Sequence, residues 1–152
     1  MDFSFLLPTS PITASGVTIT NPGALGVAYD SLRDLLYVSF CEAGCATFDR
    51  GVVMEFDPSS GAMLGGLFGV SGTNSIIGGL AYDALGDSVW GGGVSDRHFT
   101  LGGTVLSSFA NPTSFSDGLE ILQAVPEPTS MVLLLSVLGG LSFIIRKRDK
   151  TV

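Results

Sequence analysis

The chain has 152 residues, enough for one domain, with 14% charged residues, 21 glycines and a formal net charge of −7. Ordinary globular domains carry about 25% charged residues, so this composition is charge-poor. Before Thr129, three basic residues (Arg33, Arg50, Arg97) stand against 13 acidic ones; after it, Arg146, Lys147, Arg148 and Lys150 stand against Asp149 alone. An acidic body does not suit the phosphate backbone, so no nucleic-acid partner is expected.

Residues 1–24 form an N-terminal segment without an export signal. Met1–Leu7 (MDFSFLL) holds Asp2, has no Lys or Arg before Arg33, and meets Pro8 at once. A secretory signal needs a basic n-region and roughly 7–15 apolar residues. If the C-terminal tail directs export, the chain is expected to begin at an internal start or to be a fragment.

Residues 25–121 contain a repeat. Gly26–Tyr37 (GVAYDSLRDLLY) and Gly79–Trp90 (GLAYDALGDSVW) share six of twelve aligned positions at an offset of 53 residues. Short runs rich in β-branched and aromatic residues, separated by turn residues, predict strands rather than helices. In the first copy the strands are Leu25–Tyr29, Leu35–Phe40, Gly51–Phe56 and Ala62–Leu67, with turns at Asp30–Asp34 and Asp57–Gly61. In the second they are Gly79–Tyr82, Ser88–Trp90, Arg97–Leu101 and Thr104–Phe109, with a Gly102-Gly103 turn. A third copy begins at Gly118-Leu119-Glu120-Ile121 and stops as the tail takes over.

Four short antiparallel strands in about 50 residues match a propeller blade. The pattern GVAYD…DLLYVSF…VVMEFDPSSG resembles the repeats of extracellular β-propellers over Leu25–Ile121. Closed propellers need about 4–8 blades, so two imply a partial propeller, a fragment, self-association or a small sandwich.

Cys41 and Cys45, in CEAGC, are candidates for a local disulfide in an exported protein, with free thiols as the alternative in a reducing compartment. Zinc would need two further ligands, and His98 is the sole histidine, so no metal is expected.

No catalytic constellation is expected either. A Ser-His-Asp set would have to use His98; Ser95 and Asp96 read as loop neighbours, and no G-x-S-x-G elbow is present. The recurring Asp30/Asp34 and Asp83/Asp87 read as hairpin caps rather than calcium ligands, there being no D-x-D-x-D-G loop. The glycines at Gly65-Gly66 and Gly91–Gly93 lack a phosphate-loop pattern and read as turns. Tyr29, Tyr37, Tyr82 and Trp90, at matched positions, read as core residues in preference to a sugar platform.

The tail runs AVPEPTSMVLLLSVLGGLSFIIRKRDKTV. In the linker 122–128, Pro126 and Pro128 favour an extended stretch. Residues 129–145 hold no charge; as a helix they would span about 25 Å, short but sufficient for one membrane crossing. The basic tail 146–152, led by Arg146-Lys147-Arg148, is expected to stay in the cytoplasm, leaving the body outside.

Val125-Pro126-Glu127-Pro128, the apolar span and the basic end, in that order, resemble the PEP-CTERM sorting domain over Val125–Lys150. The resemblance implies an exported bacterial protein handled by exosortase, an integral-membrane processing enzyme, often alongside exopolysaccharide production. It makes Val125, Pro126, Glu127 and Pro128 the sorting motif, residues 129–145 the contact with membrane lipid, and Arg146, Lys147 and Arg148 the stop-transfer element.

The expected fold is mainly β: two blade-like antiparallel repeats followed by one C-terminal transmembrane helix. The expected function is that of a non-enzymatic cell-surface or matrix protein without cofactors, with exosortase and exopolysaccharide as implied partners. The alternative is a fragment of a secreted β-propeller enzyme or ligand-binding protein whose site lies in missing blades. A tail-anchored cytoplasmic protein would defy the charge bias.

Overall fold

The computed structural model describes residues 8, 11–42, 49–72 and 75–111. The chain divides into two compact units, Met1–Ile121 and Leu122–Val152, and every described residue belongs to the first. Its described elements are all antiparallel strands, so the fold is mainly β.

The strands are β1 (Ile12–Ala14), β2 (Val17–Ile19), β3 (Pro22–Asp30), β4 (Leu35–Glu42), β5 (Arg50–Phe56), β6 (Met63–Ser71), β7 (Leu80–Asp83), β8 (Ser88–Gly91), β9 (Ser95–Thr100) and β10 (Val105–Ala110). Strands β3 to β6 form one four-stranded meander, β7 to β10 a second, and β1 and β2 a separate hairpin.

The two meanders begin with the same local chemistry. Asp30 Oδ1 accepts the backbone N–H groups of Leu32 and Arg33, and Asp83 Oδ1 accepts those of Leu85 and Gly86. Each turn ends on an aspartate with positive φ, 56° at Asp34 and 46° at Asp87. Aspartate tolerates that region because its short polar side chain bonds locally. Tyr29 donates to Asp34 at 2.8 Å, and Tyr82 donates to Asp87 at 2.8 Å. The sequence repeat is therefore a repeated turn, with β3 and β7 ending, and β4 and β8 starting, at an offset of 53 residues.

Alternation along the strands divides the first meander into two faces. Tyr37 and Val53, with Ala28 and Phe68, face the second meander, where Leu80, Tyr82, Val89 and Phe99 meet them. The Phe68 and Phe99 rings lie 5.0 Å apart, and Tyr37 meets Tyr82 edge-on at 5.9 Å. The opposite face carries Val38, Phe40, Val52, Met54 and Phe56, covered by Ile12, Ala14 and Ile19 of the hairpin.

The stacking is front to back. In the repeat alignment Ala28 and Tyr37 correspond to Ala81 and Trp90, while Leu80, Tyr82 and Val89 correspond to Val27, Tyr29 and Leu36. The first meander thus offers its Ala28/Tyr37 face, and the second answers with the opposite one.

Four details depart from the sequence expectations. The N-terminal segment, where no strand is expected, holds the hairpin β1–β2; Ser15 and Gly16, with φ of 47° and 78°, form the two-residue turn that suits twisted strands. Gly65 and Gly66 lie inside β6 rather than in a turn. A Cβ on Gly66 would sit 2.7 Å from Ala14 Cβ, so the glycine lets the hairpin approach. Gly91 likewise belongs to β8, and Ser95 and Asp96 open strand β9 instead of a loop.

The matched aromatic residues are not equivalent in burial. Tyr37 and Tyr82 are core residues, whereas Tyr29 is 52% exposed and Trp90 is half-buried on the outward face of the second meander. Each is the counterpart of a buried residue, but lies on a meander face that no other described meander covers.

Candidate functional site

Two side-chain clusters stand out among the described residues: a polar clamp between the meanders and an aromatic patch on the outer face of the second.

The clamp centres on Arg33, in the β3–β4 turn. Its Nη1 donates to Asp30 Oδ2 at 2.9 Å, Tyr82 Oη at 3.2 Å and Asp87 Oδ1 at 2.7 Å, while Nη2 donates to Asp87 Oδ2 at 2.7 Å. The planar guanidinium fork suits this bidentate grip on Asp87. Tyr37 completes the arrangement by donating to Asp30 Oδ2 at 2.5 Å. Asp30 is wholly buried and accepts from two backbone N–H groups, Arg33 and Tyr37.

The protonation equilibria follow from these contacts. Burial works to raise the Asp30 carboxyl, but the bonds from Tyr37, Arg33 and the backbone outweigh it and hold Asp30 below its usual range. Bonds from Arg33 and Tyr82 pull Asp87 down to about 2. Burial and the Asp87 bond push Tyr82 up to about 12, and burial with the Asp30 bond raises Tyr37. The bonds to Asp87 and Asp30 raise Arg33 further, keeping it cationic. Every group is fixed in its charge state at neutral pH, which suits a brace and not a proton shuttle.

On the outer face, the Trp90 and His98 rings stack at 4.3 Å and 6°, and Trp90 lies 6.0 Å from Phe109. Residues Trp90 and His98 are direct cross-strand partners. His98 Nε2 and Ser88 Oγ share a 2.7 Å hydrogen bond. A serine–imidazole pair is the start of a nucleophilic site. Ser88 is only 1% exposed, however, and Asp96 Oδ1, buried two residues from His98, has no hydrogen-bond partner. The pair thus has neither access for a substrate nor a carboxylate orienting the ring.

The carboxylate pairs singled out in the sequence are turn caps, as Asp30, Asp34, Asp83 and Asp87 show through their bonds. Among the described residues, no group of three or more His, Cys, Asp and Glu is placed to hold a metal. Cys41, at the end of β4, is buried and disulfide-bonded, and the chain has one other cysteine, Cys45, which lies outside the described residues. Val125, Pro126, Glu127, Pro128, the span 129–145 and Arg146, Lys147 and Arg148 also lie outside them. No described helix is long and apolar enough to cross a membrane.

The sequence reading missed the clamp because Arg33 has no counterpart in the second copy, where Gly86 takes its place. The turn aspartates were the available signal. Compared with known proteins, the chain matches no family model and no curated sequence.

Proposed function

We propose that this is an exported, non-enzymatic surface or matrix protein whose braced β body is delivered by the C-terminal tail. The observation that carries the reading is the order of three tail features: Val125-Pro126-Glu127-Pro128, an uncharged run over 129–145, and Arg146-Lys147-Arg148. The prolines favour an extended peptide fit for a processing enzyme's cleft. The uncharged run crosses the bilayer as a helix, and the cations hold its end in the cytoplasm. The likeness of this tail to PEP-CTERM sorting domains makes the processing enzyme an exosortase. It also makes exopolysaccharide the surroundings into which the body is released.

The body suits such a role. Its two meanders read as successive propeller-like blades, because they repeat one turn and stack front to back.

The test is made in the native cell. Alkaline carbonate washing should leave the full chain in the membrane pellet and release a chain ended after Pro128. External protease should digest the body in intact spheroplasts. Release of the full chain by carbonate, or protection of the body, contradicts the proposal.

A further inference from the structure

Each four-stranded meander ends in two edge strands, β3 and β6 in the first and β7 and β10 in the second. An edge presents a row of unpaired N–H and C=O groups, and proteins blunt it with charge, proline, bulges or a cover. Three of these four edges are blunted. β3 opens on Pro22 and ends on Asp30, and β7 ends on Asp83. β6 is uncharged, but its pairing with β5 shifts register twice, and the β1–β2 hairpin packs closely over Gly66 and Gly69.

β10 is the exception. Its sequence, VLSSFA, holds no charge and no proline, and five of its six residues are exposed. Val105, Leu106 and Phe109 are 48%, 54% and 56% exposed. Ser108 and Phe109 are consecutive and so point to opposite faces, and both are exposed; neither face of the strand is covered there. The one irregularity falls between Val105 and Ser107, which leaves Ser107–Ala110 in regular register with β9.

We infer that β10 pairs with β10 of a second copy, antiparallel about a twofold axis, joining two second meanders into one eight-stranded sheet. The strand suits itself. A twofold axis normal to the sheet keeps each residue on the same face in both copies, so opposed residues must share parity. Centred on Ser108, the pairing sets Ser108 against itself, Ser107 against Phe109 and Leu106 against Ala110. No like charges meet, although each chain carries a net charge of −7. A second copy brings the same uncharged, proline-free edge, which is what the unpaired backbone groups of β10 require. The contact is one strand long, so the pair forms reversibly.

The test uses the full chain in a nonionic detergent. Sedimentation equilibrium should give a protein mass that rises with concentration to twice that of one chain. S108K should return the mass to that of one chain, whereas L85K, on a side chain 89% exposed, should leave the dimer intact. On mild oxidation S108C should give a disulfide-linked dimer at several times the yield of L85C. Amide exchange in β10 should be slow in the dimer and fast in S108K. A single-chain mass at every concentration, a mass unaltered by S108K, or equal yields from S108C and L85C overturns the inference. So does a single-chain species whose β10 amides exchange slowly, which would give the edge to another strand.

Discussion

Arg33 and Asp87 stand 54 positions apart and are joined by two parallel hydrogen bonds of 2.7 Å. Each belongs to a turn that is closed mainly by its own aspartate. The bonds therefore tie together two units that could otherwise form their turns independently, and they do so at the end of the interface where Tyr37 and Tyr82 meet.

Arg33→Met and Asp87→Asn should each lower the thermal midpoint, and the double variant should lose less than the two losses added. Nonadditivity is the signature of a direct pair. Additive losses in calorimetry would mean that the two residues act separately. Arg33→Lys should recover little, because an ammonium lacks the fork that reaches Asp30 and both Asp87 oxygens.

Tyr37→Phe removes one donor from a buried carboxylate. The loss should be about 1.5–3 kcal/mol, the usual worth of a hydrogen bond to a charged group. Chemical denaturation checks it. Phe68→Ala, which empties the site against Phe99, should cost about 3–5 kcal/mol.

Stability should fall at both pH extremes for opposite reasons. Asp30 and Asp87 are held below the ordinary carboxylate range, Asp87 at about 2. Their contribution is complete above the unfolded value of about 4 and is lost as pH falls through the folded one. Tyr82 is raised to about 12, so its contribution is complete below the unfolded value of about 10 and disappears as pH rises through 12. Thermal midpoints measured across pH should fall below about 4 and above about 10, and Asp87→Asn should flatten the acid limb.

Two glycine substitutions probe the close approaches. Gly66→Ala should displace the β1–β2 hairpin, since the new methyl meets Ala14, and should cost about 1–3 kcal/mol as an overpacking change. Gly26→Ala should be worse, because it meets backbone atoms of Gly78 and Leu80 that cannot rotate aside. Amide exchange should rise in β1 and β2 for the first variant and in β7 for the second.

The eight meander strands were legible because their signals are local. Alternating apolar residues set the strands, and Asp30, Asp57 and Asp83 close the turns with bonds to their own neighbours. The hairpin was not, since three-residue strands are too short to establish a period, although Ser15-Gly16 between ITA and VTI is a turn signal. Gly65-Gly66 looked like a turn because the need for glycine there comes from Ala14, some fifty positions away. Tyr29 and Tyr82 show the same boundary: one motif, one hydrogen bond, yet one ring exposed and one buried. Repetition reveals the unit but not which end of the stack is covered.

The most direct measurement on the sorting role is the fate of a chain in which Pro126, Glu127 and Pro128 are all alanine, followed by size and fractionation in the native cell. The account predicts an uncleaved precursor accumulating in the inner membrane, with little reaching the surface. Maturation and surface delivery indistinguishable from the unaltered chain would contradict it.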